Sequence, residues 1–216
     1  MDKKIVLVIN AHPLGKNPTS FSNITRTHFL EEYKKLYNPK KEEIKEITLS
    51  EEDVPSLGNG LLEAWGKLSE GKRLNEGENK IVAHQQAILS EFMSAGKYVV
   101  SYPLYNLMIP SKMKDYIDNI LIARKTFHYT SHGAEGLLTD GRSVVLIQGS
   151  GSVYTNDDGY GALEHGQKYL QSIFAFMGIT DLKTVRAQGT AYLPKEAVLA
   201  KAYEEADRAA NFLVGK

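Results

Sequence analysis

The chain has 216 residues, 42% of them apolar and 24% charged, enough for a sizeable core without calling for more than one domain. Lys and Arg together number 26, as do Asp and Glu, so the formal charge is zero and the chain carries neither a nucleic-acid footprint nor a polybasic membrane anchor. Cysteine is absent, which removes disulfides, thiolate metal sites and thiol redox chemistry, and no apolar run approaches the ~20 residues of a membrane span.

The first element is the apolar run Ile5 to Ile9, which reads as a strand covered on both faces of a parallel sheet. Two lysines precede it, but it is short and breaks at Asn10, so it is a strand rather than a signal peptide, and a cytoplasmic protein is expected. A turn-rich loop over residues 10 to 22 follows, with Thr19 or Ser20 as N-cap of a helix through Tyr33. Free amides at that helix start, with the Ser20 and Ser22 hydroxyls, would hold a phosphate; the plain alternative is an ordinary capped helix.

Glu42 to Thr48 alternates around Ile44 and Ile47 and predicts a second strand nearer the sheet edge. Residues 50 to 80 are acidic and glycine-rich, contain the only tryptophan, Trp65, and predict an insertion with one or two short helices. That insertion could be a lid, a dimer contact or surface decoration. Ile81 to Met93 is helical by pattern and leads into the strand Lys97 to Tyr102. Pro103 ends that strand, and Pro110 stands just before a helix whose apolar stripe is Met113, Tyr116, Ile117, Ile120 and Leu121. The residues between the two prolines form a shaped loop at a strand's carboxyl end, where open α/β sheets bind ligands; Tyr105 and Asn106 there suit a flat heterocycle.

Arg142 to Gln148 is another buried strand and runs into Gly149-Ser150-Gly151-Ser152-Val153-Tyr154, whose glycines let a backbone approach a ligand, or simply make a turn. A helix over Gly161 to Met177, a last strand over Leu182 to Ala187 and a closing helix over Lys195 to Val214 complete the chain. Strands alternating with helices predict an α/β fold: a flavodoxin-like, doubly wound, five-stranded parallel sheet of order 2-1-3-4-5, with helices on both faces, forming one domain with an insertion at about residues 50–80. Three loops then converge on one crevice.

No GxGxxG follows the first strand and no GxxxxGK[ST] occurs, so the nicotinamide-dinucleotide fingerprint and the nucleotide-hydrolase loop are both missing. A hydroxyl-lined helix start and two loops able to embrace a planar ring suit FMN. His128 and His132 share an i, i+4 spacing but lie in a predicted loop without a third ligand, and His165 beside Glu164 lacks the HExxH frame, so no metal is expected.

The runs PLYNLMIPSKMKDYIDNILIARKTFHYT, GAEGLLTDGRSVVLIQGSGSVYT and FAFMGITDLKTVRAQGTA resemble the FMN-dependent NADH:quinone oxidoreductases known as azoreductases, and EAWGKLSEGK is similar to an insertion of some members. The resemblance implies one tightly bound FMN per subunit, its phosphate on Ser20, Phe21 and Ser22 with His12 approaching the flavin, and its ring held by Pro103, Leu104, Tyr105, Asn106 and Leu107 and by Gly149, Ser150, Gly151, Ser152 and Tyr154. Ser-Gly-Ser at 150 to 152 departs from the family's Arg-Gly-Gly, and His12 stands where Ser or Asn is usual. The resemblance further implies a homodimer with Tyr129 and Phe174 near the substrate, and two-electron ping-pong transfer from NADH or NADPH to a quinone or azo compound, with no catalytic side chain beyond the flavin. A flavin-binding electron carrier or regulatory module without reductase activity is the competing expectation.

Overall fold

The computed structural model describes residues 4–156 and 158–216. In chain order it contains β1 (Lys4–Asn10), α1 (Phe21–Leu36), β2 (Glu42–Thr48), α2 (Asn59–Ser69), α3 (Glu76–Ser94), β3 (Ala95–Pro103) and α4 (Ser111–Ile120). There follow β4 (Phe127–Thr130), β5 (Gly133–Gly136), β6 (Ser143–Ser150), a 3-10 turn (Tyr160–Leu163), α5 (Gly166–Phe176), β7 (Asp181–Gln188) and α6 (Lys195–Val214).

Five of the strands form one parallel sheet in the order β2-β1-β3-β6-β7, which is 2-1-3-4-5 when only its own strands are counted. Every residue of β6 is buried, as a strand walled on both faces must be, and this is why Ser-Val-Val-Leu-Ile reads as a continuous apolar run. Alternate strand residues feed two cores. Val6, Val8, Val99, Val145, Ile147 and Val185 meet Phe29, Tyr33 and Leu213 of α1 and α6. Leu7, Ile9, Tyr98, Val100, Val144 and Leu146 meet the helices of the other face, through Phe92, Met113 and Phe174.

Register decides where the functional loops emerge. Asn10 lies opposite both Thr48 and Ser101, and Pro103 lies opposite Gly149, so β1, β3 and β6 end side by side.

Local expectations fail at three places. Helix α3 starts at Glu76 rather than Ile81, because Asn75 and Glu78 close a reciprocal capping box. Helix α5 starts at Gly166 rather than Gly161: Tyr160–Leu163 forms a separate 3-10 turn, and Glu164 is extended. His128 lies in a strand rather than a loop, with Phe127–Thr130 antiparallel to Gly133–Gly136, while His132 sits in the turn that joins them.

Candidate active site

The loop after β1 is folded by amides rather than by a phosphate-loop glycine pattern. Asn10 and Asn23 both donate their side-chain Nδ2 to the Gly15 carbonyl, at 3.1 and 2.9 Å, and Asn23 also reaches Asn17 O at 3.0 Å. Gly15 takes φ +59°, in the left-handed region that favours glycine. The loop delivers the chain to α1, where Ser20 is the N-cap but gives no side-chain cap bond; its Oγ lies 3.0 Å from Ser22 Oγ instead. The first amides of a helix have no intrahelical acceptor, so this end presents N–H groups beside a pair of hydroxyls.

The loop after β3 turns back at its tip. Tyr105 N–H donates to Met108 O at 2.9 Å and Met108 N–H to Tyr105 O at 2.8 Å, closing a two-residue turn. Asn106 and Leu107 have φ of +48° and +67°, the left-handed pair such a turn demands. Asparagine tolerates that region; leucine does so at a cost. Leu104 N–H donates to Gly149 O at 2.7 Å, so this loop is tied to the end of β6.

Gly149 also touches α1: a Cβ at that position would lie 3.0 Å from Ser22 N and 3.3 Å from Ser22 Cβ. The Ser150-Gly151-Ser152 stretch is clamped from the neighbouring β7–α6 connection, with Thr190 N–H on Ser150 O and Ala191 N–H on Gly151 O, both at 3.1 Å. Gln188 extends the clamp, accepting from Tyr154 N–H at 3.0 Å and donating to Thr155 Oγ1 at 2.6 Å. These bonds fix the Ser-Gly-Ser loop without a guanidinium. The Tyr154 ring stacks on Tyr160, centroids 5.2 Å apart.

A cavity of about 640 Å3 opens between the first two loops, walled by His12, Tyr105, Asn106, Met108, Ser50 and Lys112. That volume is in the range of small-molecule sites. His12 Nδ1 accepts from Leu14 N–H at 3.1 Å, and a backbone N–H can only donate, so the neutral ring carries its hydrogen on Nε2. Burial, and secondarily the Arg26 guanidinium, hold its pKa below the ordinary 6.5 and favour this neutral form.

Among the expected site residues, the structure joins Ser22 to Gly149 and Leu104 to Gly149, and places His12, Tyr105 and Asn106 on one cavity wall. Tyr129 lies elsewhere, 76% exposed on the β4–β5 hairpin, and borders a separate cleft with Trp65, Arg124 and His128. Phe174 requires correction. It is 1% exposed, wedged against Phe92 and Tyr98 beneath the sheet, so it belongs to the core and not to a substrate wall. Its neighbour two positions on, Phe176, is the half-exposed ring, resting on Phe127. Residues the sequence reading passed over include Asn10 and Asn23, which shape the first loop, and Gln188, which clamps the third. Their signal was weak, since polar residues at strand and helix ends are common.

Parallel strands in this order, with loops from the first, third and fourth meeting at one edge, define a flavodoxin-like protein, and the family described as flavodoxin-like fold matches residues 4–210. FMN-dependent NADH:quinone oxidoreductase 1 of Bacillus cereus is 47% identical over 210 residues, 97% of this chain and 98% of that protein. A Staphylococcus aureus FMN-dependent NADH:quinone oxidoreductase is 40% identical over 185 residues, 85% of this chain and 86% of that one. The crystal structure of an FMN-dependent NADH-azoreductase from Bacillus anthracis in complex with FMN superposes with a TM-score of 0.95 at 46% identity, covering 98% of this chain and 99% of that chain. The chain belongs to the family of FMN-dependent NADH:quinone oxidoreductases.

Proposed function

We propose that this protein is an FMN-dependent oxidoreductase that uses NADH or NADPH to reduce quinones and azo compounds. The observation that carries this reading is the junction at Gly149, where the ends of β3 and β6 meet the start of α1: Leu104 N–H binds its carbonyl, and Ser22 occupies the space a Cβ would need. The residues present fit the coenzyme. An α1 start whose first amides lack intrahelical acceptors, with the Ser20 and Ser22 hydroxyls, suits a phosphate dianion, which the helix dipole also favours. His12, neutral with Nε2–H outward from its Leu14 bond, adds a donor without adding charge.

FMN, when bound, supplies the capacity to take a hydride from a nicotinamide and pass two electrons to an acceptor. The chain's own contribution is placement. Phe21 with the two serines would hold the phosphate end, and the strained turn at Tyr105-Asn106-Leu107, with Pro103 and Leu104, would hold one edge of the ring. Gly149 through Ser152, with Tyr154, would offer backbone donors at the other edge, where fixed dipoles stabilise developing negative charge. Tyr105, 47% exposed, would stack against a flat acceptor.

The same reading makes the molecule a cytoplasmic homodimer of one-domain subunits in which Tyr129 borders the substrate. Support comes from α2, whose Trp65 shares a cleft with Tyr129 and whose Leu62 and Leu68, flanking Trp65 in sequence, are 50% and 47% exposed. Among the described residues no helix is long and apolar enough to cross a membrane.

The test is spectroscopic. Purified yellow protein mixed anaerobically with NADH is expected to lose its flavin absorbance and regain it on addition of a quinone. Yellow protein that NADH leaves unbleached would instead support the electron-carrier alternative, and protein that stays colourless after incubation with FMN would end the proposal. Ser22→Ala is expected to weaken FMN binding about tenfold, the effect of one hydrogen bond to a charged group.

A further inference from the structure

We infer that the segment Glu164-His165-Gly166 is a buttress that sets the conformation of the ring-holding loop, with Glu164 as a positioning residue for the flavin. This rests on the reading that residues 104–107 hold the isoalloxazine. The loop tip cannot hold itself: Asn106 and Leu107 both sit at positive φ, and leucine pays for that conformation with a Cβ clash unless surrounding structure imposes it.

Three contacts from one tripeptide impose it. His165 N–H donates to the Leu107 carbonyl at 2.9 Å, which grips the strained residue directly. Gly166 lies so close beneath the loop that a Cβ would stand 2.8 Å from Leu104 Cδ1 and 3.3 Å from Ile109 N, so both ends of the turn rest on bare backbone. Glu164, 4% exposed, anchors the tripeptide to the sheet: its Oε1 accepts from Gln148 Nε2 and from Gln167 N–H, both at 2.7 Å. The second bond satisfies the first turn of α5, and the first ties that turn to β6 one residue before Gly149. Gln148 Nε2 also reaches Tyr102 OH at 3.2 Å, next to Pro103 in β3, so one side-chain chain links both strand ends that carry flavin loops.

Gln148 Oε1 is buried without a hydrogen-bond partner among the described residues. The amide therefore makes its side-chain bonds through Nε2, to Glu164 Oε1 and Tyr102 OH. None of these groups needs to touch the coenzyme. Their effect passes through Leu107 and Leu104.

The test uses the whole chain and three variants. Glu164→Ala is expected to raise the FMN dissociation constant about tenfold, measured by quenching of flavin fluorescence, and to alter the visible circular dichroism of bound flavin. Glu164→Gln retains an Oε1 acceptor for both donors and is expected to restore both readouts. Gly166→Ala keeps the Glu164 carboxylate but puts a Cβ 2.8 Å from Leu104 Cδ1 and 3.3 Å from both Ile109 N and Glu164 Oε1, and is expected to behave like Glu164→Ala. Hydrogen exchange on the unaltered protein is the companion measurement: FMN should slow exchange in residues 104–109 and, through the buttress, in 164–167. Wild-type affinity and dichroism in folded Glu164→Ala and Gly166→Ala would overturn the proposal, as would a Gln variant no better than the Ala variant. Should the Ala variants fail to fold, exchange decides: protection of 104–109 without 164–167 overturns the buttress, and protection of both supports it. FMN that protects neither segment would instead sink the assignment of the loop to the ring.

Discussion

Leucine at φ +67° is an uncommon cost for a loop to carry, and the turn at 105 to 108 places it beside an asparagine at +48°. Only the asparagine was legible in advance, because Tyr-Asn between two prolines is turn chemistry, while the turn's second left-handed position carries no signal when the residue is leucine. Asn106→Val should weaken FMN binding about tenfold and lower the thermal midpoint of the apoprotein, since a β-branched side chain in that region adds roughly 1–3 kcal/mol of strain; calorimetry with and without FMN reads both effects. His12 gives a pH dependence of definite sign. Its folded pKa lies below the ordinary 6.5, so the unfolded chain takes up the proton first: stability is intact above about pH 7.5, falls as pH drops through 6.5 towards the folded value, and levels off beneath it. His12→Asn, which keeps an oxygen for Leu14 N–H, should flatten that part of the melting-temperature profile; an unchanged slope would locate the titration elsewhere. Phe174 teaches the opposite lesson from Leu107. Leu170, Phe174 and Met177 recur at i, i+4 and i+7 and are all buried, a spacing that points to the core, whereas the family resemblance placed Phe174 near the substrate.

Elements were readable where their period was long and clean, and misjudged where a cap or a short pairing set the boundary. Helix α3 shows a cap that was present in the letters: Asn75 and Glu78 are three apart, and Glu78 N–H to Asn75 Oδ1 and Asn75 N–H to Glu78 Oε2 are both 2.9 Å. Gly77 between them hid the helix start. Asn75→Ala should cost about 1 kcal/mol in urea denaturation with an unchanged slope, because it removes the acceptor of Glu78 N–H and leaves only the backbone half of the box, Asn75 N–H to Glu78 Oε2. The β4–β5 hairpin escaped for a different reason. Four-residue strands give almost no alternation to detect, and Ser131-His132 is not one of the favoured hairpin turns. The site's third loop was found by position, yet what holds it, Gln188 and the 190–191 backbone, comes from β7 and its following turn, distant in sequence.

Over the whole molecule, sheet order and crevice followed from the alternation of strand and helix, since right-handed crossovers leave few ways to arrange five parallel strands. What the alternation could not reveal is the polar cluster at the opposite edge. Lys97, 1% exposed at the start of β3, pairs with Glu42, which also accepts from Tyr33 OH at 2.7 Å, and Lys97 Nζ reaches the Val214 carbonyl at the end of α6 at 3.4 Å. Lys97→Ala should destabilise by roughly 3–5 kcal/mol because it strands a carboxylate, whereas Lys97→Met with Glu42→Gln should recover most of that in the same denaturation assay.

That cluster also fixes where β1 begins and α6 ends. Strand β1 starts beside β2 at Glu42, and α6 finishes on Lys97, so Lys4 and the end of α6 both lie at the sheet's amino edge while the crevice opens at the carboxyl edge. A protein grafted to an electrode or bead near Lys4 or Lys216 would therefore present its crevice to the surrounding liquid, and immobilised samples should retain access to dyes that a support attached near the Tyr105–Met108 turn would shut out.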